Sequence, residues 1–186
     1  MKPNAQIDEK VIIRKCKNND RQFQKILFER YYGKLMGICM RYSKDKFQAQ
    51  DYLQESFIKI FNNLEKYEST GSFEGWISRL TKNHIIDQVR KNKTIYLSEN
   101  EYDITRHKEE VEEEEFLYSE KISPQDIINE LQKLTECQRT IFNMFIVEEK
   151  SHEQISKLLN INIGTSKSNL HKAKKNLKKL LKRKIR

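Results

Sequence analysis

The sequence predicts an all-α protein built as two helical domains joined by an acidic flexible linker. Three observations carry that reading. The 186 residues include only five glycines and two prolines, few turn formers for a strand-rich chain. Apolar side chains recur at spacings of three and four over long stretches, with no hairpin signal and no alternating strand of any length. Charge is segregated: residues 94–123 hold ten acidic side chains against three basic ones, a net of −7, so the formal +9 of the chain leaves +16 for the two flanks. The expected domains are 1–93 and 124–186, with 94–123 as the linker.

The chain opens polar and then forms a short helix around 7–16. From Asp20 to Tyr42, the positions Phe23, Leu27, Tyr31, Leu35, Ile38 and Tyr42 trace one face of a long helix. Gly33 and Gly37 interrupt it at some cost in propensity, which points to close helix packing. A helix over about 47–67 buries Leu53, Phe57, Ile60, Phe61 and Leu64, and shows Asp51, Gln54, Glu55, Lys59 and Asn62 on its other face. Residues 68–72 read as a loop, with Ser72 as the N-cap of a third long helix. That helix buries Phe73, Trp76, Ile77 and Leu80 and runs through Asn83, His84, Asp87 and Arg90 to Lys93. Trp76, between Phe73 and Leu80, reads more as core than as a stacking platform. Periodicity then fails across the acidic, weakly hydrophobic linker.

The second half is delimited by local chemistry. Ser123-Pro124 is an N-cap followed by proline at the first helical position. It opens a helix whose apolar face is Ile127, Ile128, Leu131 and Leu134. Thr135-x-x-Gln138 is a capping box before Ile141, Phe142 and Phe145, and Ser151-x-x-Gln154 is another before Ile155, Leu158 and Leu159. A turn over 160–164 follows, and Thr165 caps a final helix with the apolar stripe Leu170, Ala173, Leu177 and Leu180. Residues 154–186 contain no acidic side chain and eleven basic ones. A buried seam under a cationic face implies a docked helix with a polyanionic partner, DNA first.

A short helix, a tight turn and a helix with a polar first turn describe a C-terminal helix-turn-helix, whose second helix enters the major groove. Asn160 stands where the turn wants a residue tolerant of positive φ. The side chains facing base edges are then Ser166, Lys167, Ser168, Asn169, His171 and Lys172. A plain helical hairpin with a solvated charged face is the competing reading; capping, turn residue and one-sided charge together favour the DNA-binding motif.

At this point the residues resemble a family. The run Leu134-Thr135-x-x-Gln138-Arg139-x-x-Phe142, then Ser151-x-x-Gln154-Ile155-Ser156-x-x-Leu159-Asn160-Ile161, then Gly164-Thr165-Ser166-Lys167-Ser168-x-Leu170-His171-Lys172-Ala173-Lys174 is similar to the C-terminal domain of bacterial RNA polymerase sigma factors of the extracytoplasmic-function group. Asp51-x-x-Gln54-Glu55-x-Phe57 resembles the family's polymerase-docking helix. Phe73-x-x-Trp76-Ile77-x-Arg79-Leu80-x-x-Asn83-x-x-x-Asp87-x-x-Arg90 resembles its promoter-melting helix.

The resemblance implies core polymerase docking through Asp51, Gln54 and Glu55, supported from the core by Phe57 and Leu64. It implies −10 element contact and melting through Tyr67, Ser69, Thr70, Ser72, Arg79, Asn83 and Arg90, aided by Lys82, Lys91 and Lys93. It implies −35 element contact through Thr165, Ser166, Lys167, Ser168, Asn169, His171, Lys172 and Lys175. Its other implications are that the acidic linker threads basic polymerase channels and that a membrane-bound anti-sigma factor is a partner. Ser156 replaces the family's usual alanine, Ser166 its valine and Asn169 its arginine; the last two bear on which promoter is read.

A second reading is a free-standing helix-turn-helix regulator with a helical sensor or dimerisation domain, and a third is an all-helical nuclease. Catalysis is not expected. His84, His107, His152 and His171 are scattered as surface or contact residues, no phosphate-binding loop or nucleophile elbow occurs, and the carboxylates of 112–115 lie in the linker. No metal or cofactor is expected. Cys16, Cys39 and Cys137 lack ligand spacing and fit a reducing bacterial cytoplasm, with Cys39 and Cys137 packed as small apolar groups. No apolar run approaches a membrane span and no signal-peptide core is evident.

Overall fold

A computed structural model describes residues 7–91 and 123–185, without the side chains of 180 and 182–185. The linker through 122, Lys93, His107, the side chain of Leu180 and the last basic side chains therefore lie outside the described residues. Among the described residues the protein is helical and without strands. It forms two compact units. The first takes α1 (Glu9–Lys17), α2 (Arg21–Tyr42) as far as Met40, α3 (Lys46–Asn63) and α4 (Phe73–Lys91) as far as Ile85. Arg41–Lys44 and the described residues from Ile86 count with the second, which holds α5 (Pro124–Leu131), α6 (Glu136–Phe142), α7 (His152–Leu159) and α8 (Ile163–Ile185).

Aspartates start the first three helices. Asp8 accepts the Lys10 amide at 3.0 Å, Asp20 those of Gln22 and Phe23 at 3.0 and 3.4 Å, and Asp45 that of Gln48 at 2.8 Å. Ser72 accepts the Gly75 amide at 3.1 Å as α4 opens. A Cβ on Gly75 would meet that same oxygen at 2.9 Å, so the cap depends on glycine there. α3 ends in a 3₁₀ turn, Leu64–Lys66. The first core gathers Leu27, Leu35, Ile60, Leu64, Phe73 and Ile77, each fully buried and each stabilising by about 1.5–3 kcal/mol. Rings bridge the helices: Phe28 meets Phe57 at 4.6 Å, and Tyr31 meets Phe73 edge-on at 5.6 Å. The Tyr31 hydroxyl bonds to Glu9, and Arg30 donates to the Ile7 carbonyl at 2.9 Å, which ties α1 to α2.

The second unit is organised around α6, where every side chain from Cys137 to Phe142 is buried. Arg139 lies inside and donates to the carbonyls of Gln132 at 3.2 Å and Leu134 at 2.9 Å. Only half of the expected box at Thr135 forms. Thr135 accepts the Gln138 amide, but the Gln138 side chain turns away to accept from Asn176 of α8 at 3.2 Å. The boxes at Ser123, closed by Asp126, and at Ser151, closed by Gln154, are complete. α6 leaves through a π turn, Asn143–Val147, that the periodicity did not signal. Its wide backbone leaves Phe145 half-buried and exposes Ile146 and Val147. α8 begins at Ile163, where the Ser166 amide bonds the Asn162 carbonyl at 3.1 Å, so Thr165 lies inside the helix and does not cap it. The seam of α8 is Leu170, Ala173, Leu177 and Leu181.

All three cysteines are buried and free, and burial pushes the Cys16 thiol up to about 11. Gly33 and Gly37 do not mark a close helix approach: nothing lies within 4 Å of a Cβ built at either. Both lie inside α2 without positive φ, so they carry only the entropic penalty of glycine. Gly33→Ala is expected to stabilise the protein by about 0.5–1 kcal/mol, seen as a higher midpoint in thermal unfolding.

Candidate nucleic-acid interface

The turn between α7 and α8 is set by a few residues. Asn160 is left-handed, φ 55 and ψ 52, and the Ile161 amide reaches back to the Ser156 carbonyl at 3.1 Å, closing a Schellman-type cap. Ser156 adds a bond of its own, donating to the Ile161 carbonyl at 2.5 Å. The serine that stands for alanine is therefore a lock on the turn as well as a small residue at a helix contact.

The rotation of α8 sorts the expected contact residues. Lys167, His171 and Lys175 are exposed on successive turns, whereas Thr165, Ser168 and Lys172 are half-buried. Ser166 and Asn169, expected on the outer face, are 0% and 3% exposed. Asn169 donates to the Thr165 carbonyl at 3.0 Å, and Ser168 to the same carbonyl at 3.2 Å. Ser166 hydrogen-bonds His152 Nδ1 at 2.9 Å. His152 stacks on Phe145 with centroids 4.6 Å apart, and Lys174 stands 6.0 Å over that ring. This cluster packs the first helix of the motif against the second. The sequence places His152 only among surface or contact residues; its spacing of fourteen from Ser166 carries no local signal.

On α4, Arg79, Asn83 and Arg90 are exposed and fall on one helical face, at steps of four and seven. Arg90 pairs with Asp87 at 2.9 Å. The preceding loop is braced: the Tyr67 hydroxyl donates to the Gly71 carbonyl at 2.6 Å, and the Tyr67 ring packs on Phe73 and Trp76 at 5.1 and 5.4 Å. Ser69, Thr70 and Ser72 are exposed beside it, with Ser69 held at φ 58. Trp76 and Leu80 are half-buried and not interior; Thr81 and His84 take the inner positions instead.

Asp51, Gln54 and Glu55 are exposed on α3, and Phe57 and Leu64 lie beneath them in the core. Two residues that sequence reasoning misses share this face, Phe47 at 79% and Ile58 at 54% exposure. Their spacing with Asp51 and Gln54, steps of four, three and four, is the available signal. His84, expected as a surface or contact residue, is buried, with Nε2 2.8 Å from Glu55 Oε2. Among the described residues no cluster of His, Cys, Asp and Glu could hold a metal, and no helix is long and apolar enough to cross a membrane.

Burial, then the charges of Lys167 and Lys174, hold His152 below its ordinary value of 6.5, with Glu153 opposing. The folded state thus binds this proton more weakly than the unfolded chain, so the stabilisation is complete above that value and lost as pH falls below it. The thermal midpoint should drop between pH about 7.5 and about 5.5, and the drop should be smaller in His152→Gln, measured by parallel unfolding scans.

Two family models match the chain. The family described as Sigma-70 region 2 matches residues 27–95, and Sigma-70, region 4 matches residues 125–177. The ECF RNA polymerase sigma factor SigW of Bacillus subtilis (strain 168) is 26% identical over 179 residues, covering 91% of this chain and 94% of its own. The ECF RNA polymerase sigma-E factor of Haemophilus influenzae is 26% identical over 178 residues, 91% of this chain and 93% of its own. Among solved structures, the sigma factor RpoE in complex with the anti-sigma factor NepR from Bartonella quintana aligns with a TM-score of 0.47 at 22% identity, covering 85% of this chain and 96% of that one. With both family regions present in order, and relatives that match along nearly their whole length, the chain belongs to the extracytoplasmic-function group of bacterial RNA polymerase sigma factors.

Proposed function

We propose that this sigma factor reads the −35 element with the outer face of α8, opens the −10 element with the loop at 67–72 and the outer stripe of α4, and docks on core polymerase through the exposed face of α3. The observation that carries the reading is the row Lys167, His171 and Lys175, on successive exposed turns of a helix that follows a left-handed Asn160 turn. Thr165, Ser168 and Lys172 flank that row. Ser166 and Asn169 leave the contact set and serve the packing of the motif.

The docking face combines Asp51, Gln54 and Glu55 with the apolar Phe47 and Ile58, which suits a basic helical partner with apolar side chains of its own. On α4, Arg79 and Asn83 meet the separated strand, while Tyr67 and Trp76 offer ring faces to an unstacked base. The acidic linker, at −7, is suited to the basic channels of the polymerase. An anti-sigma factor is the regulator this reading assigns, and the bacterial cytoplasm is where it acts. The chain carries out no catalytic step of its own.

Lys167→Ala and Lys175→Ala should each weaken binding to a −35 duplex and shallow its salt dependence by about one unit for each phosphate no longer neutralised, in titrations at several salt concentrations. Core affinity should not change. Unaltered duplex affinity in both variants would remove α8 from the DNA.

Asp51→Ala with Gln54→Ala should leave the unfolding midpoint close to wild type, a cost within about 0.5 kcal/mol per surface site. Core polymerase should no longer be retained on the immobilised variant. Retention at wild-type yield would move the docking surface elsewhere.

A further inference from the structure

Glu55 belongs to two surfaces at once. Its side chain is 50% exposed beside Asp51 and Gln54, yet one of its oxygens lies 2.8 Å from Nε2 of His84, whose side chain is 2% exposed. At that distance the two groups are in direct polar contact, one at the surface and the other inside. Elsewhere α3 and α4 contribute largely apolar side chains to the core, among them Ile60, Ile77 and Ile85, all fully buried. Apolar packing tolerates small rotations of a helix about its axis, whereas a buried polar pair selects one register. His84 immediately follows Asn83 and lies about one turn beyond Arg79, so the rotation that seats His84 also aims the outer stripe of α4.

We propose that Glu55 and His84 are positioning residues that fix α4 against the docking helix, so that anchorage on core polymerase is passed to the strand-opening stripe. The inference rests on the assignment of α3 to docking and α4 to opening. One carboxylate serves the partner-facing side and the buried imidazole, and the two functional faces keep a constant offset.

The test uses full-length protein with saturating core enzyme and a fluorescent-base promoter that reports strand opening, with core affinity measured separately by anisotropy. His84→Leu should slow opening about tenfold, the order expected on removing one buried polar contact, with core affinity within about twofold. His84→Gln keeps an N–H for Glu55 and should recover to within about threefold of wild type. Glu55→Ala, at a half-exposed site that tolerates truncation, should slow opening of the assembled holoenzyme as His84→Leu does, and the double variant should be no slower than either. Wild-type opening by Glu55→Ala holoenzyme overturns the inference even if His84→Leu fails to fold. So does a His84→Gln protein as slow as His84→Leu, or opening and core affinity that fall in step in His84→Leu. A wild-type holoenzyme that opens no promoter overturns the underlying assignment instead.

Discussion

Every helix leaves several amides and carbonyls unpaired at each end, and the described residues of this chain are almost all helix, long and short. Satisfying those ends is the constraint on which the rest of the structure depends. Asp8, Asp20, Asp45, Ser72, Ser123, Thr135 and Ser151 each accept an amide at a helix start. Such caps contribute about 0.5–2 kcal/mol each. Exposed ion pairs such as Lys25 with Glu29, 3.9 Å apart, contribute about 0–1 kcal/mol. The caps therefore outweigh the surface pairs, and they also set where each helix begins. The beginning fixes the phase, and the phase decides which side chains reach solvent.

The second unit shows what happens where capping and packing compete. Gln138 is placed to close a box with Thr135, but α6 is enclosed on all sides and Asn176 of α8 offers a partner at 3.2 Å. The amide takes the long-range partner, so a side chain that local chemistry assigns to a helix start becomes a link between helices. Arg139 follows the same logic: as a buried guanidinium it must find acceptors, and it donates to the carbonyls of Gln132 and Leu134, at the exit of α5. Such contacts hold the hub helix in a single orientation under the motif. α8 inherits its direction from that hub and from the Ser156–Ile161 lock on the turn.

The exposed helix faces of this sigma factor differ in chemistry. α8 presents cations with no acidic neighbour on its own helix, α3 presents carboxylates between two exposed apolar side chains, and α4 presents arginines and an asparagine beside a braced aromatic loop. None of these faces gathers metal ligands among the described residues. Each is suited to a macromolecule, where charge steers the encounter and apolar and polar contacts set the register.

Much of this is legible in the one-dimensional pattern. Helix order, the caps at Ser72, Ser123 and Ser151, the left-handed Asn160 and the segregation of charge are local properties, set by a residue and its neighbours within a turn. The π turn after α6, the start of α8 two residues before Thr165, and the open space around Gly33 and Gly37 depend on how helices pack, and the pattern could not contain them. The candidate site divides the same way. That residues 165–175 form a basic, polar-fronted helix follows from sequence alone. That Lys167 and His171 face out while Ser166 and Asn169 face in was decided by contact with His152 and by the enclosing fold. Glu55 and His84, twenty-nine positions apart, meet only in the folded protein. The reason is the same in each case: a helix's periodicity is local, but its rotation is set by the neighbours against which it is buried.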